Sequence, residues 1–267
     1  MKRFTAILCA MVVCACARQP QLIILHTNDT HSHLEPFVTS EGIRGGCIER
    51  AAFVDSVRAA EGADRVLLLH AGDFSQGTSY FTELKGELEP RIINAMGYDV
   101  VTLGNHEFDN DIEQLEHRLR QFESTKVVCA NIDFSAFPIG EIVKPYAIVE
   151  KNGLKIGVIG LLTDVSGSIS KNVSARMQQL DNVEVVNKWA AVLRQDELCD
   201  LVILLSHIGY EEDQKLVPQT HNLDLVVGGH SHTFTENMIS VPDADGRKVP
   251  VVTDGCFGQQ MGKITIR

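Results

Sequence analysis

Five short apolar runs, each ending directly in a polar segment, are the feature of this sequence that most constrains its fold. None of the runs alternates apolar with polar residues in the way that marks a half-buried strand. Continuous apolar runs of this length are typical of strands that helices cover on both faces of a sheet. The sequence therefore predicts an α/β protein whose polar loops lie at strand ends. The runs are residues 22–25, 66–69, 100–103, 201–205 and 225–227.

Helical patterns separate these runs. From Asp111 onward, Ile112, Leu115, Leu119 and Phe122 recur at steps of three and four, which predicts an amphipathic helix. Neither a repeat nor a linker divides the chain, so we expect one domain over residues 16–267, with 134–145 as an irregular connection. Further helices are expected in residues 48–60, in the second part of 82–96, in 183–194 and in 211–217. Further strands are expected in residues 127–130, 155–162, 251–253 and 264–266.

The composition limits the kind of partner. With 267 residues, of which 44% are hydrophobic, the chain can bury one large core. Its formal net charge of −11 argues against a surface that binds nucleic acid or anionic membranes non-specifically. An anionic substrate would need a local source of positive charge, such as bound metal ions.

The first residues have the pattern of an export signal. Lys2 and Arg3 precede an apolar stretch, residues 4–13, that is too short to span a bilayer. We interpret residues 1–15 as a signal peptide of the lipoprotein type, with Cys16 as the lipidated first residue. Cleavage at an ordinary small-x-small site is the alternative. Either interpretation predicts an exported protein of the periplasm or cell envelope.

Four cysteines follow the export segment, at positions 47, 129, 199 and 256. Their isolated spacing does not indicate a zinc or redox motif. Cys129 and Cys199 lie in or beside apolar runs, so we expect buried thiols there. An oxidising compartment would permit disulfides, but the spacing does not indicate any.

Polar residues with metal-binding chemistry follow the five apolar runs. A single histidine at a strand end is more often structural, but loops that one sheet brings together make a shared site the better interpretation. Mixed imidazole and carboxylate ligands suit Zn²⁺, Mn²⁺, Fe or Co. So many candidates suggest two ions that share a carboxylate. The candidates are Asp29, His31, Asp73, Asn105, His106, His207, His230 and His232.

The segment 104–109 adds a proton donor to these candidates. Asn105 offers a neutral oxygen for a metal, and His106 offers a proton. Asp109 follows three residues later and can orient the imidazole by a hydrogen bond. The alternative for this segment alone is a polar turn that caps the next helix.

These motifs, in this order, resemble the calcineurin-like metallophosphoesterases, and more narrowly the 5′-nucleotidase family. The resemblance covers essentially the whole chain after the export segment. It implies a four-layer α/β/β/α sandwich with two mixed sheets flanked by helices. The motifs are Leu25-His26-Thr27-Asn28-Asp29-x-His31, Gly72-Asp73, Gly104-Asn105-His106-Glu107-Phe108-Asp109, His207 and Gly229-His230-x-His232.

The resemblance also implies a role for each matched residue. One divalent metal ion would be held by Asp29, His31 and His232, and a second by Asn105, His207 and His230. Asp73 would bridge the two ions, and His106 with Asp109 would form the catalytic dyad. In this scheme His26, His33 and His70 support the site without binding metal.

The activity that the resemblance implies is hydrolysis of a small phosphomonoester, most simply a nucleotide, by a hydroxide that the metals activate. A phosphodiesterase or sugar-nucleotide pyrophosphatase with the same metals is the alternative, and a metal-binding protein without catalysis is a third interpretation.

Members of the family usually carry a C-terminal domain that binds the nucleoside. Because the sequence ends at Arg267, we expect a separate partner chain with that domain, broad specificity, or a catalytic fragment. We expect no nucleic-acid partner. We expect contact with a membrane only through a lipid on Cys16.

Overall fold

The structure is a computed structural model that describes residues 22–267. The predicted signal peptide and Cys16 lie outside this range. In chain order the strands are β1 (Leu22–Thr27), β2 (Pro36–Thr39), β3 (Gly42–Gly45), β4 (Val66–His70), β5 (Val100–Thr102), β6 (Lys126–Val128), β7 (Ile132–Asp133), β8 (Val143–Lys144), β9 (Tyr146–Lys151), β10 (Leu154–Leu162), β11 (Gln178–Gln179), β12 (Leu201–His207), β13 (Leu225–Val227), β14 (Ile239–Pro242), β15 (Lys248–Val252) and β16 (Gly262–Ile266).

Helices fill most of the connections between strands, and the predicted segments are confirmed with shifted ends. The segment 82–96 differs, because its first part is also helical and a turn divides it into two helices. The helices are α1 (Cys47–Glu61), α2 (Ser79–Leu84), α3 (Glu89–Met96), α4 (Asp111–Leu119), α5 (Val165–Ser168), α6 (Lys171–Ser174), α7 (Asn182–Ala191) and α8 (Tyr210–Leu216).

Two six-stranded sheets form the centre of the molecule. The first has the order β16-β1-β4-β5-β6-β8, and the second has the order β14-β15-β13-β12-β10-β9. Neighbouring strands from β1 to β8 in the first sheet and from β15 to β10 in the second are parallel. The outer strands β16, β14 and β9 are antiparallel to their neighbours. Both sheets are therefore mixed, as the resemblance implied.

The apolar side chains of β1 illustrate how the layers pack. Leu22 and Ile24 face the second sheet, where they join side chains of β10 and β12 in one core. Ile23 and Leu25 face the opposite way and join the core under α1, α3 and α4. Because successive side chains of a strand point to opposite faces, both faces are buried and the run is apolar throughout. A third core lies between the second sheet and helices α7 and α8, which completes the α/β/β/α sandwich.

The expectation of an irregular connection over residues 134–145 was wrong in part. β8 adds a strand to the first sheet, and β9 begins in the second sheet after a single intervening residue. Pro145 separates the two, since proline has no N–H to continue a ladder. One extended segment therefore forms an edge of both sheets.

The cysteines and the surface complete the description. Cys129 and Cys199 are buried, as expected, and all four cysteines of the described range are free thiols. Among residues 22–267, no helix combines the length and apolarity that crossing a bilayer requires.

Candidate metal centre and catalytic dyad

Five strand ends carry the predicted site residues to one edge of the sandwich. β1, β4 and β5 belong to the first sheet, whereas β12 and β13 belong to the second. The expectation from loop chemistry that one sheet gathers all five loops was therefore wrong. The loops meet because the parallel strands of both sheets end at the same edge of the sandwich.

Three predicted ligands, Asp29, His31 and His232, form a cluster that we call group A. The Nε2 atoms of His31 and His232 lie 3.0 Å apart. Oδ1 of Asp29 lies 3.3 Å from Nε2 of His232 and 3.8 Å from Nε2 of His31. Asp29 and His31 are buried, but the His232 side chain is 39% exposed, so group A opens to solvent on that side.

A second cluster, group B, consists of Asp73, His207 and His230, whose candidate ligand atoms lie within 4.8 Å of one another. Asp73 Oδ2 is 3.1 Å from Nε2 of His207 and 3.7 Å from Nε2 of His31 in group A. Asp73 therefore lies between the two groups. His207 is fully buried, and its Nδ1 donates a hydrogen bond to the carbonyl oxygen of Ala71 at 2.6 Å.

Two buried polar atoms, one of Asn105 and one of His207 in group B, indicate that these side chains fit a metal ion. Oδ1 of Asn105 is buried and has no hydrogen-bond partner among the described residues, and the buried Nε2 of His207 faces the Asp73 carboxylate at 3.1 Å. Buried polar atoms are nearly always hydrogen-bonded, and metal coordination is one way to satisfy such atoms. The donor set of each group is of the kind that suits a borderline divalent cation.

The charge state of the imidazoles depends on their surroundings. Burial lowers the pKa of His31 and of His230, so both rings are neutral near pH 7, which is the form that binds metal. Burial also lowers the pKa of His207, but the neighbouring Asp73 carboxylate outweighs it and raises that pKa to about 10. A cation bound in group B would displace this proton.

The backbone at the site is unusual. Five of the predicted ligands have positive φ angles, a region that few non-glycine residues adopt. Each such residue costs about 1–3 kcal/mol and persists only when its surroundings enforce it, which is common at functional sites. These φ angles are 47° for Asp29, 47° for His31, 55° for Asp73, 76° for His230 and 54° for His232.

Two glycines leave the space that these loops need. Gly72 has a φ of 85°, and a Cβ there would lie 2.6 Å from the His207 ring. A Cβ at Gly104 would lie 2.1 Å from Asp73 Oδ1. A side chain at either position would displace group B.

The predicted pair of His106 and Asp109 is confirmed as a contact. His106 Nδ1 and Asp109 Oδ2 are 2.8 Å apart, and both side chains are 33% exposed. The hydrogen bond from Asp109 raises the pKa of His106 above its usual value. The backbone N–H of His106 also donates to Asp73 Oδ1 at 2.9 Å, which ties this dyad to group B.

Glu107 and Arg118, to which the sequence analysis assigned no role, support the loops after β4 and β5. Glu107 Oε2 accepts hydrogen bonds from the backbone N–H groups of Asp73 and Gly104, and Oε1 accepts one from Ser75. Arg118 donates to the Glu107 carbonyl and to Ser75 Oγ, and it is fully buried. The sequence does contain a signal for this role, because Arg118 lies on the apolar face of α4, and a buried arginine needs polar partners.

Other neighbours hold Asp29 in place. The amide of Asn28 donates to Asp29 Oδ2 at 2.7 Å and to the Gly255 carbonyl at 2.6 Å. The backbone N–H of His230 donates to the same carboxylate at 2.9 Å. These bonds fix the orientation of one candidate ligand from both sheets.

The three histidines that were not expected to bind metal lie outside both groups. Nδ1 of His26 is 2.7 Å from Asp254 Oδ2. His33 Nδ1 lies 2.9 Å from the carbonyl oxygen of His31. Burial lowers the pKa of His70 to about 3, so this ring is neutral.

Comparison with known proteins places this geometry in a wider context. The chain is 34% identical to a snake venom 5′-nucleotidase of Gloydius brevicauda over 92% of this chain and 45% of that protein. It is also 34% identical to a 5′-nucleotidase of Bos taurus over 94% of this chain and 47% of that protein. The chain thus spans about half the length of these relatives.

A solved structure and a family model agree with these relatives. The crystal structure of a 5′-nucleotidase precursor from Thermus thermophilus superimposes with a TM-score of 0.85 at 34% identity, covering 92% of this chain and 51% of that one. The family model for calcineurin-like phosphoesterases matches residues 22–234. The chain therefore belongs to the calcineurin-like phosphoesterase family.

Proposed function

We propose that this chain is the catalytic part of a two-metal phosphomonoesterase of the 5′-nucleotidase type. The observation that carries the proposal is the arrangement around Asp73. Oδ2 of Asp73 lies 3.1 Å from Nε2 of His207 in group B and 3.7 Å from Nε2 of His31 in group A. Oδ1 accepts a hydrogen bond from the backbone N–H of His106 in the dyad. A phosphoryl group at this edge would meet all three elements at once.

In this proposal the residues of group A hold one divalent ion, and Asn105, His207 and His230 hold the second, with Asp73 between them. When bound, such a pair of ions supplies positive charge for phosphoryl oxygens and lowers the pKa of water to near neutrality. The protein needs that positive charge, because its own formal charge is −11.

His106 would act as the proton donor. Its Nδ1 contacts Asp109, so Nε2 is the nitrogen that would face a substrate. The raised pKa keeps the ring protonated at a higher pH than usual, so it can stabilise phosphoryl charge or protonate the leaving oxygen. Partial exposure of both side chains lets a substrate reach the ring.

A nucleotide is the substrate that we propose, since the similar proteins are named 5′-nucleotidases. Export, a lipid anchor on Cys16 and a partner chain with a nucleoside-binding domain remain proposals from the sequence. The identity of the metals, among Zn, Mn, Fe and Co, also remains a proposal.

The test is phosphate release by residues 17–267 with added Mn²⁺, from AMP, an aryl phosphate and a bis-aryl diester. Turnover of either monoester that a chelator abolishes would support the proposal. Turnover of the diester alone would favour the phosphodiesterase alternative. Turnover of none, with two metal ions bound, would contradict the proposed phosphomonoesterase function.

A further inference from the structure

Phe257 lies beside group A in a backbone conformation that is rare for a bulky residue. Its φ angle is 59°, and its backbone N–H donates a hydrogen bond to the Asp29 carbonyl at 2.6 Å. Strain of this kind persists only where surrounding contacts enforce it. The conformation places the ring against the mouth of group A.

The ring of Phe257 contacts both imidazoles of group A. Its centroid lies 5.8 Å from that of His31 and 5.7 Å from that of His232, each in an edge-to-face arrangement. His33 stacks on the same ring at 4.1 Å. Among residues 22–267, the ring of Phe257 has no such contact with the imidazoles of group B.

The two groups differ in how their histidines are oriented. A histidine that binds metal usually donates its other N–H to an oxygen, which fixes the ring. His207 in group B does so through the Ala71 carbonyl. In group A, Nδ1 of His31 is buried and has no hydrogen-bond partner among the described residues. The Nδ1 side of that ring is therefore held by packing rather than by a hydrogen bond.

We propose that Phe257 is the positioning residue of group A, and that its ring replaces the missing hydrogen bond by packing on His31 and His232. The inference rests on the proposed metal site, but it does not depend on catalysis. It assigns Phe257 control over the affinity and exchange of one metal ion. The ion of group B is expected to be independent of it.

The experiment is a titration with Mn²⁺, in which free Mn²⁺ is followed by electron paramagnetic resonance. The native chain is expected to bind two ions. Phe257→Ala removes the ring but keeps the backbone N–H, and it should weaken one of the two sites by about 10–100-fold. Phe257→Tyr retains a ring of the same shape and should restore the affinity.

A second background identifies the affected group. In a chain that already carries His232→Ala, Phe257→Ala should not change binding of the remaining ion. Phe234→Ala serves as the matched control, because Phe234 is 44% exposed and its ring contacts no imidazole in the described range. The control should bind two ions as the native chain does.

Three results would overturn the inference: unchanged affinity at both sites in Phe257→Ala, equal weakening of both sites, or a further loss in the His232→Ala background. Circular dichroism with chelator present shows whether each variant is folded. If Phe257→Ala does not fold, Phe257→Leu carries the same test, because leucine is apolar but lacks a flat ring. Failure of the native chain to bind Mn²⁺ would instead contradict the proposed metal site.

Discussion

Groups A and B have the same chemistry, one carboxylate and two imidazoles, but different support. In group B, His207 is fully buried, hydrogen-bonded to the chain and 3.1 Å from a buried carboxylate. In group A, His232 is 39% exposed and His31 lacks a hydrogen bond at Nδ1. Two sites with the same types of ligand can therefore differ in how rigidly the protein holds those ligands. Burial and the hydrogen bonds that neighbouring groups make to the ligands decide this.

The largest expected effect concerns the dyad, which belongs to neither group. His106→Ala should lower kcat by about 10²–10⁴-fold, the usual loss on removing a general acid or base. Both metal ions should remain, since the backbone N–H that bonds Asp73 is kept. Phosphate release and metal content would be measured together. Loss of a metal ion would mean that the His106 side chain helps to hold the ion of group A or group B.

The comparison is tested most directly by removing one histidine from each group. His207→Ala leaves Asp73 buried without its nearest ionisable partner, and breaking such a pair costs about 3–5 kcal/mol. His232→Ala removes a partly exposed partner and should cost about 1 kcal/mol or less. Urea unfolding of the metal-free variants gives both values. Equal losses would show that the two groups are supported alike.

Glu107 tests whether group B depends on the network beneath it. Both carboxylate oxygens accept backbone N–H bonds, so the NH₂ group in Glu107→Gln must face a donor. We expect a loss of about 1–3 kcal/mol in the free energy of unfolding. The substitution should also weaken metal binding in group B more than in group A. Denaturation and Mn²⁺ titration would measure this. Unchanged stability would indicate that these backbone hydrogen bonds contribute little to folding.

The smallest effect is expected from Asp213, which lies on α8 behind the strands that carry His207 and His230. Burial raises the pKa of Asp213 to about 7. The unfolded chain releases this proton near pH 4 and the folded chain near pH 7, so the carboxyl lowers stability as pH rises through that window. Asp213→Asn removes this cost but buries in its place an amide that has no partner among the described residues, so we expect a small net rise in Tm, of about 2–4 °C, at pH 8.

At pH 4 the same substitution should change Tm far less, because the carboxyl is then protonated in the folded chain and about half protonated in the unfolded chain. Calorimetry of the metal-free protein at the two pH values is the measurement. An equal shift at both values would assign the effect to packing rather than to ionisation. A fall in Tm at pH 8 would mean that the charged carboxylate stabilises group B.

The sequence predicted those parts of the site that depend on local pattern. Strand ends follow from continuous apolar runs such as residues 22–25 and 201–205, which are buried as expected apart from the half-buried Leu201. The pair of His106 and Asp109 follows from a spacing of three residues. The resemblance added the grouping of ligands. Asp29, His31 and His232 do cluster, and His207 and His230 cluster with Asp73, while the assignment of Asn105 and of Asp73 as a bridge stays a prediction.

The remainder depends on contacts that no local pattern contains. Strands β2 and β3 are largely exposed, so they carry no apolar alternation that would predict a hairpin. The positive φ angles of Asp29 and Asp73 arise from tertiary packing rather than residue type. Phe257 reaches His31 only because a loop near the chain's end folds back on β1.

The distribution of the ligands over two sheets has a consequence for the order of folding. Asp29 and His31 follow the first strand, whereas His230 and His232 follow β13, and the contact between His230 and Asp29 spans 201 positions. Contacts this distant in sequence form slowly, after local structure. Neither group is complete until the second sheet has docked on the first. Uptake of metal during refolding would therefore lag behind the formation of β-structure and report the last step of assembly.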